Sequence, residues 1–269
     1  MPCLVIIPAR RGFPPDTWFS SEASMGDPSF KPAPMPTARH ALAAARLQDN
    51  LLAAVGGSTS SSSTGIISTN EVYDFTTNTW SSKAPMPTAR YLLAAAQLQN
   101  NVIAAVGGYN GISALSTNEV YDFTTNTWSS KAPMPTARQL LAAAQLQNNV
   151  IAAVGGSNGG SLSTNEVYDF TTNTWSSKAP MPTARHNLAA AQLQANVITA
   201  VGGFNNVISA TLSTNEVYDA TTNTWSSKAP MPTARYLLAA AQLQTRLIAA
   251  LGGNSASGLP LSTNETYSL

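Results

Sequence analysis

The sequence predicts an all-β fold, a β-propeller of five four-stranded blades, and three observations carry that prediction. The string Met-Pro-Thr-Ala-Arg begins at Met35, Met86, Met134, Met181 and Met231, at spacings of 51, 48, 47 and 50 residues. A Gly-Gly pair begins at Gly56, Gly107, Gly155, Gly202 and Gly252, at the same spacings. Between these markers each unit breaks into four short segments bounded by turn residues, as a blade requires.

The first segment follows the repeated Arg, as in Tyr91 to Leu98. The second, Val102-Ile-Ala-Ala-Val106, is a continuous apolar run suited to a strand buried on both faces. Asn100-Asn101 between them tolerates the positive φ of a tight hairpin. The third segment, Asn118 to Phe123, alternates apolar and polar residues, and Thr124-Thr125-Asn126 turns the chain into the fourth, Thr127 to Met134. Pro133 and Pro135 fall where the chain leaves the sheet and a missing N–H costs little. Leu-Leu-Ala-Ala-Ala-Gln-Leu has helix propensity, but a segment this short that ends in Asn-Asn is better read as a strand.

Gly-Gly after an apolar strand, then Glu-Val-Tyr-Asp and Asn-Thr-Trp, at a period near 50 residues, resembles the kelch repeat. The resemblance covers Met35 to Tyr267 and implies a propeller of the kind that commonly binds proteins or peptides. Two departures stand out. Kelch domains usually have six or seven blades. The fifth unit ends Asn264-Glu-Thr-Tyr-Ser268, with no Asp after its Tyr and no Trp beyond.

Two N-terminal segments are candidates for the missing fourth strand. Asp16-Thr-Trp-Phe-Ser to Met25 matches the Asn-Thr-Trp segment if Phe19 is an insertion, and Phe30-Lys-Pro-Ala-Pro-Met35 is the other. The expected organisation is a poorly ordered extension over residues 1–15 and one propeller over 16–269. Within it, 16–35 holds the closing strand and five repeats run from Met35. Closure at five blades is preferred over a fragment of a longer propeller, because a completed last blade removes exposed edges.

Composition narrows the function. A net charge of +1, with 10% charged residues, argues against nucleic acid as a partner. No apolar stretch approaches the length of a membrane span. The apolar run Cys3–Ile7 has no basic residue before it and makes a poor export signal, so a soluble and, by a narrow margin, cytoplasmic protein is expected. One cysteine and two histidines offer no metal site, and no cofactor is implied. Almost every polar residue recurs in each unit, whereas catalysis needs unlike groups gathered once, so no enzyme is expected.

Most repeated residues have structural work. The glycines permit positive φ or close approach, and Tyr73, Tyr121, Tyr168 and Tyr218 with the repeat tryptophans suit packing between blades. Function is sought where the copies differ. All variation in repeat length lies between Gly-Gly and Ser-Thr-Asn-Glu, where the first four units have 10, 7, 6 and 9 residues. The position after the Arg also varies: His40, Tyr91, Gln139, His186 and Tyr236. In an antiparallel blade both features lie at one end, around one mouth of the channel, and loops on a rigid scaffold usually carry recognition.

The candidate ligand-binding residues are therefore these five with Tyr109, Phe204 and the ring Arg39, Arg90, Arg138, Arg185 and Arg235. The arginines have two readings. Some kelch adaptors use equivalent arginines to hold acidic motifs, and guanidinium groups suit carboxylates. Alternatively they pair with Glu71, Glu119, Glu166, Glu216 and Glu265, roughly 10 Å away across two strands. The expected function is protein or peptide binding, acidic motifs included. The alternative is a multivalent carbohydrate-binding propeller, with the aromatic residues stacking on sugars.

Overall fold

The fold is seen in a computed structural model that describes residues 17–20, 31–60 and 63–269. It is a five-bladed β-propeller of four-stranded antiparallel sheets. Blade 2 shows the plan: inner strand Ala94–Gln99, second strand Val102–Val106, third strand Asn118–Asp122 and outer strand Thr127–Ser130. Blades 1, 3 and 4 repeat it from Ala43, Ala142 and Ala189. The turns form as their residues dictate. Asn101 takes φ 68° in the inner hairpin and Asn126 takes φ 54° in the outer one, where Asn bears a left-handed backbone at little cost.

Blade 5 takes its outer strand from the N-terminus. Thr17–Ser20 pairs antiparallel with Asn264–Ser268, placing Trp18 opposite Tyr267 just as Trp128 stands opposite Tyr121. Phe19 is not an insertion: it stands opposite Thr266, as Ser129 stands opposite Val120. The other candidate segment has a different job. Ala33 occupies in blade 1 the place that Ala84 occupies in blade 2, donating its N–H to Asn78 Oδ1 at 2.7 Å and accepting from Trp80 Nε1 at 2.9 Å. The extension predicted over residues 1–15 lies outside the described residues.

The core is interleaved between blades. One face of blade 1 (Ala45, Leu47, Ala53, Val55) packs against Met86, Leu93, Ile103 and Tyr121 of blade 2, and three further clusters repeat this along the chain. A polar latch accompanies each of the first three clusters. Asn126 Oδ1 accepts from Tyr121 Oη and from Ala84 N of the preceding blade, both at 2.9 Å. Trp128 Nε1 donates to Ala84 O at 2.8 Å. The repeated Tyr, Trp and Asn are therefore seam residues. Gly107, at φ 64°, lies so close to the next blade that a Cβ would stand 2.6 Å from Arg138 O.

Candidate functional site at the loop face

The two variable features meet. The residue after each Arg forms a β-bridge with the residue after Gly-Gly: His40 with Ser58, Tyr91 with Tyr109, Gln139 with Ser157, His186 with Phe204 and Tyr236 with Asn254. In blade 2 the bridge is a reciprocal pair, Tyr91 N to Tyr109 O at 3.1 Å and Tyr109 N to Tyr91 O at 2.8 Å. Each loop is thus pinned at its root while its tip stands clear. The next residue inward carries backbone strain: Leu92, Leu140 and Leu237 sit at φ 55°, 57° and 55°, where a bulky side chain is disfavoured.

Two aromatic groups line the face. Tyr91 and Tyr109 meet edge to face at 5.9 Å. His186, Phe204 and Tyr236 form a chain across blades 4 and 5, with centroids 5.7 and 6.1 Å apart. The His186 ring is buried, which lowers its pKa below the usual value, and its Nδ1 lies 3.0 Å from Ser161 Oγ of blade 3. That hydroxyl also donates to Asn206 Oδ1, tying adjacent loops together. His40, in contrast, is exposed, and Gln139 is half-buried.

Of the two readings of the arginine ring, the structure shows the internal pairing. Arg90, Arg138, Arg185 and Arg235 are completely buried and Arg39 is 6% exposed. Each makes an ion pair with the Glu of its own blade, at distances from 2.8 to 3.1 Å. Arg90 also donates to Ala105 O at 3.0 Å and Thr117 O at 3.2 Å, and Glu119 accepts from Thr88 Oγ1 at 2.6 Å. The side chain runs inward from the linker between blades, across the second strand, to the third. Burial pushes the Arg90, Arg138 and Arg185 guanidinium groups down to about 10, against the pull of their Glu partners, so they stay protonated at neutral pH. Buried and ion-paired within their own blades, these groups do not face solvent.

Loop tips supply what the sequence reading passed over. Among the described residues five large hydrophobic side chains stand out in solvent: Ile112 at 86%, Val207 at 85%, Leu259 at 65%, Ile208 at 63% and Leu237 at 50%. Four are on the loops between second and third strands, and Leu237 lies just ahead of an inner strand at the same end. The signal was present as isolated apolar residues inside Gly-, Asn- and Ser-rich loops. Among the described residues no His, Cys, Asp and Glu cluster could hold a metal, and no helix is long and apolar enough to cross a membrane.

Four-stranded blades sewn together by Tyr, Trp and Asn, each pinned internally by a buried Arg–Glu pair, define a repeat propeller whose variable surface is its loop face. The model of the KLHDC2/KLHL20/DRC7 Kelch-repeats domain matches residues 39–253, and the chain belongs to the kelch-repeat family. No curated protein matches it. Propellers of this kind are typically protein-interaction modules.

Proposed function

We propose that the chain is a non-catalytic module that binds a protein or peptide through the loop face, and that the contact is chiefly apolar. The observation that carries this reading is the segregation of Ile112, Val207, Ile208, Leu237 and Leu259 to one end of the molecule. A lone exposed apolar residue needs no explanation, but several at one end of a rigid scaffold suit an interface whose centre excludes water. The aromatic groups support the same surface. Their rings are half-buried against one another, leaving less free face for a stacked sugar than the carbohydrate reading requires.

The test is a peptide array and a glycan array probed with the wild-type chain and with a variant carrying Ile112→Ser, Val207→Ser, Ile208→Ser and Leu259→Ser. Binding of apolar peptides, lost tenfold or more in the variant, supports the proposal. Binding of glycans alone would replace it with the carbohydrate reading, and peptide binding that the variant retains would move the site elsewhere.

A further inference from the structure

Among the described residues the five blades share four seams, and each carries the same backbone bonds. At each, the blade that follows donates backbone N–H groups to its predecessor, as Met86 to Ser68 O, Leu92 to Ala41 O and Asn101 to Leu47 O in the first. The predecessor returns one backbone-to-backbone bond, Gly57 N to Arg90 O. A side-chain amide adds another, Gln97 Nε2 to Leu47 O at 2.9 Å. Each seam also encloses one apolar cluster.

Between blade 5 and blade 1 the described residues show none of these bonds and no such cluster. Burial records the difference. Leu47, Leu98 and Leu193 are fully buried, while Leu243 at the same place in blade 5 is only half-buried. Ala44 is exposed, while its counterpart Ala95 packs against the first seam. A Cβ on Gly252 would meet nothing closer than Leu261 O at 3.5 Å, whereas at Gly107 it would strike the next blade.

Chain length tells the same story. One residue, Lys83, separates Ser82 from Ala84, but twelve residues, 21–32, separate Ser20 from Ala33. Thirteen steps of extended chain reach about 43 Å, so the covalent link across this seam does not force the two blades together.

We infer that the open seam is an interface for a second copy of this chain, blade 5 of one copy seating on blade 1 of the next. The two faces are the two halves of an interface that the molecule makes four times. Blade 5 presents an apolar sheet face, Ala239, Ala241, Leu243, Leu247 and Leu251, and blade 1 presents the complementary donors and Leu42 and Ala44. Arg46 stands where the other blades have Gln97, Gln145, Gln192 and Gln242; its Nε donates to Gln97 Oε1 at 3.4 Å and its Nη1 lies 3.4 Å from Asp49 Oδ1. Because the two faces differ, the contact is head-to-tail, and copies either close into a ring of chains or continue as a ramp.

The test uses light scattering over a concentration series, with two variants on exposed or half-exposed seam positions, Ala44→Asp on blade 1 and Ala241→Asp on blade 5. The wild-type chain is expected at two or more times 28.1 kDa as concentration rises. Each variant alone is expected to remain at one chain mass. Mixed, the two should form a 1:1 dimer that grows no further, because one intact face of each remains. That recovery also shows both variants folded. A wild-type chain that stays at one mass throughout would overturn the proposal. So would a single variant that still pairs with itself, because two like faces would then be meeting.

Discussion

Two sets of side chains lie at one end of this propeller and have opposite fates. Arg39, Arg90, Arg138, Arg185 and Arg235 are identical in every unit, charged, and sealed inside. Ile112, Val207, Ile208 and Leu259 belong to loops that differ in every unit, are apolar, and stand in solvent. A reading based on chemistry alone would assign them the other way, with charge outside and hydrocarbon inside. The difference teaches that repetition marks the frame. A residue needed in all five copies answers to the blade, and a residue found once answers to something beyond it.

The frame should break hard. Replacing Arg138 by Ala leaves the Glu166 carboxylate buried at 1% exposure without its cation, and destabilisation of about 3–5 kcal/mol is expected in a urea titration. Gly107→Ala places a Cβ 2.6 Å from Arg138 O on a left-handed backbone, with an expected cost of about 2 kcal/mol in the same assay. Asn126→Ala removes the acceptor shared by Tyr121 Oη and Ala84 N, and about 1–2 kcal/mol should be lost.

His186 sits between frame and face, and its effect should be smaller and dependent on pH. Burial holds its folded-state pKa below the 6.5 of the free side chain. Its neutral form therefore contributes stability that is complete above about pH 6.5 and is lost as pH falls toward the folded value. Melting temperature followed from pH 8 to pH 5 should fall more for the wild-type chain than for His186→Gln. Parallel curves would show that the ring is not the group responsible. Smallest of all are the loop tips. Ile112→Ser or Val207→Ser should change stability by no more than about 0.5 kcal/mol, because neither side chain is buried against the frame.

Much of the frame was readable from the residues. Strand lengths followed from the turns at Asn101 and Asn126, and the seam aromatics from their size and recurrence. The closing strand was readable from Thr17-Trp18, although only the register showed Phe19 to be a strand residue opposite Thr266. The Arg–Glu pairing was left open, because sequence gives a separation between strands but not the path of a long side chain beneath the Gly-Gly turn. The apolar tips were visible in the sequence yet lost in the variable loops, where composition looks polar. The open seam was not legible at all. Counting units gives the number of blades, not whether the last packs against the first.

The loop face is proposed to hold the partner, and the arginine frame to hold the blades. This division is tested most directly by measuring peptide-array binding and melting temperature together for the chain carrying Ile112→Ser, Val207→Ser, Ile208→Ser and Leu259→Ser. The melting temperature is expected to be unchanged and binding to fall at least tenfold. Binding undiminished in this variant at the same melting temperature would contradict the division.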